Sequence, residues 1–260
     1  MNKSKWLAGI CLTLLCLDVA SAMDGVFDRS AEAAHYIEQI NSTSSQEQMI
    51  DVVKPIYVSG ISDEELAHAL GERLLKDLPK IDISRTSSQY GAWMVKALAS
   101  TGTYYARRVI IEVSGKTQVK RVLLACDDKL HEIDWERRKN EIMSSRKNFR
   151  EGDDMKVAQL LNLLQDADFT YKQNAAYRMS WDKILDERLM EEIATQLQTF
   201  LDKKGFSVDK AENVAMGHFV KMLGYSGNKK YLPLLQALEK SRADDMLVKG
   251  QVRKAISRLK

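Results

Sequence analysis

The stretch "DDKLHEID" puts four carboxylates and an imidazole (Asp127, Asp128, Glu132, Asp134 and His131) within eight residues. On a helix, Asp127 and His131 would stand four apart on one face, a spacing that can bring both to one metal ion. A closed site needs about four ligands, and this corner offers two or three. A solvated, charged helix surface accounts for the same residues, so no metal is expected. Cys126, just before the cluster, is a second candidate, as a reactive thiol. A buried cysteine with no cation beside it behaves instead as a small hydrophobe. The other histidines, His35, His68 and His218, fall in no HExxH pattern, and the chain has no CxxC, GxSxG, phosphate-binding glycine loop or dinucleotide fingerprint. Its carboxylates are interspersed with lysines and arginines at helical spacing, as on a solvent-facing surface. Neither a catalytic residue nor a cofactor is expected.

These residues sit at the end of one copy of a doubled segment. "VKALASTG" from Val95 returns as "VKMLGYSG" from Val220, an offset of 125 that also lays Val109, Ile110 and Val113 on Leu234, Leu235 and Leu238. Downstream, "KTQVKR" from Lys116 matches "KGQVRK" from Lys249 at an offset of 133, which lays Cys126 on Leu259. Upstream, "DEEL" at Asp63 matches "DERL" at Asp186, and Leu66, Leu70, Leu74 and Leu78 fall on Leu189, Ile193, Leu197 and Leu201. Three ordered blocks separated by small length changes indicate an internal duplication. Each block has helical periodicity. Val248, Val252, Ala255, Ile256 and Leu259 make one apolar stripe, as do Val119, Val122, Leu123 and Cys126. Gly102 and Gly227 stand where a helix must stop and reverse, because glycine accepts the left-handed C′ conformation. Pro233 requires its helix to begin near Lys230 or to kink there. Asp28 and the Ser44 to Glu47 spacing predict caps for two leading helices.

The unit is a buried helix, a glycine turn, a second helix, a short turn and the next buried helix. "VKMLGYSGNKKYLPLLQAL" followed by "QVRKAISRL" resembles the HEAT-repeat family and its bacterial HEAT-like members, over about residues 63–130 and 186–260. The first copy, "VKALASTGTYYARRVIIEV" followed by "QVKRVLLAC", lacks the proline. The resemblance implies an all-α fold, an α-solenoid of HEAT-like helical hairpins, and brings no shared catalytic residues with it. The expected organisation is a leader at 1–22, an N-terminal half at 23–130, a charged connecting segment at 131–155 and a C-terminal half at 156–260.

Composition agrees with this class. The chain has 260 residues, 45% apolar, with 3 prolines and 13 glycines, few for a many-stranded sheet. A formal net charge of +3 is too balanced for a nucleic-acid binder, and Glu136 and Glu141 flank the basic run Arg137-Arg138-Lys139. At the start, Lys3 and Lys5 precede an apolar run from Trp6 to Leu17, and Ala20-Ser21-Ala22 supplies a cleavage site. That pattern predicts a secretory signal peptide cut after Ala22 and a periplasmic or secreted product, with membrane contact only through the leader before cleavage. Cys11 and Cys16 would leave with it, so Cys126 would have no partner for an internal disulfide.

In HEAT-like stacks the second helix of each pair lines the inner curve. The off-stripe positions expected there are Tyr104, Arg107, Arg108 and Ile111 in one copy and Leu232 and Gln236 in the other. Arginine, tyrosine and aliphatic side chains together suit a binding interface. The expected function is therefore a non-catalytic module that docks a protein or peptide partner on its concave face. A lyase-like or cofactor-handling enzyme on the same scaffold is the rival, and it would need a pocket gathering His131, its acidic neighbours or Cys126.

Overall fold

A computed structural model describes residues 25–203, 209–240 and 246–260; the expected leader lies outside them. The described residues form twelve α-helices in order: α1 (Ser30–Ser42), α2 (Gln46–Ser59), α3 (Glu64–Asp77), α4 (Arg85–Ser100), α5 (Tyr104–Lys116), α6 (Lys120–Ser144), α7 (Met155–Leu164), α8 (Phe169–Asp182), α9 (Glu187–Asp202), α10 (Lys210–Tyr225), α11 (Leu232–Lys240) and α12 (Met246–Leu259). An isolated bridge between Val26 and Ser145 is all the β structure among the described residues. The protein is an all-α stack of HEAT-like helical hairpins containing an internal duplication.

Local chemistry sets the helix ends. Asp63, Asp186 and Asp209 each accept from a backbone N–H of the first turn, occupying donors that have no partner inside the helix. Ser45, not Ser44, caps α2, and Asp28 bonds the N–H of Ser30 from one residue before the helix boundary. Pro233 follows a 3-10 turn, Lys229–Tyr231, and sits in the first turn of α11, where its missing N–H costs nothing.

The hairpins pair α1 with α2, α3 with α4 and so on to α11 with α12, because adjacent helices must cover each other's apolar stripes. The second helices pack side by side in one layer, α2 on α4, α4 on α6, α8 on α10 and α10 on α12. The first helices form the other layer, α1 on α3, α3 on α5, α7 on α9 and α9 on α11. The duplicated positions behave alike. Val95, Leu98, Val220 and Leu223 are fully buried, and Gly102 and Gly227 take positive φ of 69° and 66°.

Two apolar clusters divide the interior, one from Ala33 to Ile133 and the other from Met143 to Leu259. They meet on α6. The segment 131–155, expected as a connector, is the second half of this long helix followed by a loop, and it lies inside the packing: Ile133, Glu136, Lys139, Asn140 and Met143 are all buried. Its charge suggested solvent. The structure instead runs a continuous seam along α6 at alternating spacings of four and three: Val122, Cys126, Lys129, Ile133, Glu136, Asn140 and Met143.

Candidate functional site

The seam on α6 carries charge where a core would carry leucine. Lys129 and Lys139 are 9% and 6% exposed at the side chain, and Glu136 is 2% exposed. Each lysine is paired one turn away, Lys129 with Glu132 and Lys139 with Glu136. A pair as buried as Lys139–Glu136 costs several kcal/mol per ion in lost hydration, and apolar residues of similar volume in its place are often neutral or better. Stability alone therefore does not account for them.

They wall a cleft of about 470 Å³ between α6, the C-terminal end of α2 and the side of α8. Tyr57 and Val58 come from α2, and Asn174, Tyr177 and Arg178 from α8, where residues four apart share a face. Lys129 Nζ donates to Tyr57 Oη at 3.3 Å. Arg178 Nη2 donates to the Val58 carbonyl at 2.6 Å, which ties α8 to the end of α2. Trp135 stacks on Tyr171 with ring centres 5.3 Å apart, and the Lys139 ammonium lies 5.2 Å from the Trp135 ring centre. Two cleft side chains have buried polar atoms with no hydrogen-bond partner, Asn174 Oδ1 and Arg178 Nε. Unmet groups of this kind are rare in a finished core.

The electrostatics follow from burial. Loss of water pushes the Lys139 amine below its ordinary range; Glu136 opposes this, while Arg178 and Lys129 add to it as like charges. Burial also depresses Arg178, against the pull of Asp182. Lys129 feels the same desolvation, but its bonds to Glu132 and Tyr57 outweigh it and hold the ammonium above the usual lysine range. Three cations against Glu132 and Glu136 leave the walls with one excess positive charge. The arrangement can receive one negative group and exchange a proton at Lys139 Nζ.

The expected site residues lie elsewhere. Tyr104, Arg107, Arg108 and Ile111 are on α5, and Leu232 and Gln236 are on α11. Both are first helices of their hairpins, one helix out of the register assumed from sequence. They are not brought together, since α5 packs on α3, α4 and α6, and α11 on α9 and α12. Tyr104 and Ile111 are 69% and 56% exposed, and Arg107 is bound to Asp134 at 2.7 Å. Cys126 is fully buried, and burial with help from Asp127 pushes its thiol up to about 12. Asp127, Asp128, His131 and Asp134 point to solvent, and no group of three or more metal-ligating side chains occurs among the described residues. Nor is any described helix long and apolar enough to cross a membrane.

From sequence, Lys129 falls in a charged cluster read as solvated, and Glu136, Lys139 and Asn140 fall in the charged connecting segment 131–155. The signal was present in part: Lys129, Glu136 and Asn140 keep the register of Val122, Cys126, Ile133 and Met143, and Lys139 adjoins it.

No family model matches the chain, and no curated protein matches it. Among solved structures it matches human deoxyhypusine hydroxylase in complex with glycerol, at 12% identity and a TM-score of 0.34, over 88% of this chain and 96% of that one. The matched protein is an enzyme, which corrects the expectation of a non-catalytic docking module: a helical stack of this kind is no ground for excluding catalysis. At this similarity the match informs no finer point of function.

Proposed function

We propose that the chain is a HEAT-like helical-repeat protein whose α6 cleft takes a small polar molecule with one negative group and moves a proton at Lys139. The observation that carries this reading is the buried Lys139–Glu136 pair, held in a cleft where Arg178 and Asn174 each keep a polar atom without a partner. Perturbed, paired ionisable groups in a concavity support a reading as a site of chemistry. In this reading Arg178 receives the negative group, since a guanidinium forms strong charge-assisted bonds to an anion. Trp135 and Tyr177 give the ligand a flat apolar wall. Burial makes the Lys139 ammonium easier to deprotonate, so Lys139 Nζ can give its proton to the ligand and take it back, with Glu136 stabilising the ammonium. Export rests on the leader-like residues 1–22 and is part of the proposal; the first residue of the purified product, read by N-terminal sequencing, tests it.

A matched pair of probes tests the site. 4-Hydroxybenzoate and 4-hydroxybenzamide have nearly one shape and differ in charge. Saturating a site at about 100 times Kd stabilises a protein by about 2.7 kcal/mol. In a chain of this size that raises the melting temperature by about 5–10 °C. The carboxylate is expected to give that rise and the amide little, with the rise lost in Arg178→Gln. Equal shifts from both probes, or no shift from either, would contradict the reading.

A further inference from the structure

A second concavity, of about 660 Å³, opens between α4 and α6 and shares no lining residue with the cleft. Its apolar lining is unusually open to water: Ile83 is 89% exposed and Leu124 53%, and Trp93 is only partly buried. Scattered exposed apolar residues are ordinary, but three sharing one groove make a patch. Lys96, Lys120 and Arg121 line the same groove. The cations here differ from those of the cleft. Lys129 and Lys139 each have a glutamate partner, whereas Lys96, Lys120 and Arg121 make no ion pair among the described residues. Lys96 Nζ instead lies 4.9 Å from the Trp93 ring centre, and Arg121 Nη1 reaches the Ser88 hydroxyl at 3.5 Å. Asp128 supplies the one carboxylate in the lining. The groove thus joins an open apolar strip to a net charge of +2.

We propose that this groove binds a single-chain anionic amphiphile, with the hydrocarbon along Ile83, Trp93 and Leu124 and the headgroup among Lys96, Lys120 and Arg121. Two independent features select that class. A hydrocarbon chain covers the exposed apolar strip and gains by the area it removes from water. An anionic head gives three unpaired cations the counter-charge that the protein itself does not provide. A neutral amphiphile meets only the first demand, and a short polar anion only the second.

Trp93 provides the readout, because a chain laid against its indole changes its emission. The experiment titrates the full-length protein with laurate below its micelle concentration, in parallel with dodecanol, acetate and vesicles of anionic phospholipid. Saturable emission change with laurate is expected, at least tenfold tighter than with dodecanol, and none with acetate. Trp93→Phe should abolish the change, which assigns it to this groove over Trp6, Trp135 and Trp181. Lys120→Glu with Arg121→Glu, both on an exposed face, should weaken laurate at least tenfold while leaving dodecanol unchanged. Equal affinity for laurate and dodecanol, an unaltered signal in Trp93→Phe, or binding to vesicles without binding to free laurate would each overturn the proposal. Because the groove and the α6 cleft have separate linings, the 4-hydroxybenzoate shift of the cleft is expected to survive the Lys120 and Arg121 changes.

Discussion

The segments on either side of Cys126 in α6 belong to one helix and solve opposite problems. Before Cys126 the helix matches α12, and Val122 and Cys126 are buried as Ala255, Val252 and Leu259 are in the other copy. Beyond it, Lys129, Glu136 and Asn140 occupy the same buried seam, with Lys139 buried beside it. Hydrophobic burial explains the first segment completely. The second segment has polar groups to place instead, and bonds to neighbouring turns meet some of them, while Asn140 Oδ1 and Arg137 Nη2 keep no hydrogen-bond partner. Asn140 Nδ2 donates to the Ser100 carbonyl at 2.7 Å, and Arg137 Nε donates to the Gly102 carbonyl at 2.9 Å. A repeat can therefore keep its packing and still carry a polar site, if one helix runs on past the shared stripe.

The largest effect should come from splitting the buried pair. Lys139→Met leaves Glu136 buried and uncompensated, and the expected loss is about 3–5 kcal/mol in chemical denaturation. The double change, Lys139→Met with Glu136→Leu, should recover most of it or even stabilise the chain, since apolar replacements of buried pairs are often neutral or better. A double variant as unstable as the single one would mean that the pair is structural.

The glycine turns separate the two copies next. A Cβ at Gly102 would stand 2.6 Å from Arg137 Cα, whereas one at Gly227 meets nothing within 4 Å. Both positions have positive φ, which costs an L-residue about 1–2 kcal/mol. Gly227→Ala should lose about that much, and Gly102→Ala distinctly more, because backbone cannot move aside as a flexible side chain can. Equal losses would show that α6 does not press on the first turn.

Asn140→Leu is expected to cost about 1–3 kcal/mol through the orphaned Ser100 carbonyl. This would show how far a neutral polar group on the seam matters beside the charged ones.

Much of this architecture was readable from sequence. The duplication, the helical periods and the turns at Gly102 and Gly227 depend on local pattern, and local pattern is what a sequence displays. The site was not legible, for a physical reason. Whether a lysine at a given helical position is solvated or buried depends on what packs against it, and Arg178, which closes the cleft, is 39 residues from Lys139 in the chain. Tyr104 and Arg107 stand on the first helix of a hairpin, where the sequence reading expected the second. The pairing of helices into hairpins was read one helix out of register, which exchanges the two layers.

Cys126 should give the smallest effect and the cleanest. With its thiol near 12, about one part in ten thousand is thiolate at pH 8. It should stay unlabelled by a thiol reagent in the native protein and react fully once the chain is unfolded. Fast native labelling would mean that the shared half of the seam opens.

Stability should also depend on pH through Lys139. Its folded value is depressed, so between that value and 10.5 the unfolded chain holds the extra proton. The burden of burying the ammonium is in full force below the folded value and is lifted as pH rises through it. Stability should climb across that window in the wild type, and the climb should be absent from the double variant.

The most direct measurement is the titration of Lys139 itself, followed by NMR of 13C-labelled lysine side chains and assigned by its loss in the double variant. The account predicts a midpoint clearly below the ordinary lysine value of about 10.4. A midpoint at or above that of the surface lysines would contradict the claim that α6 holds a buried amine prepared for proton transfer.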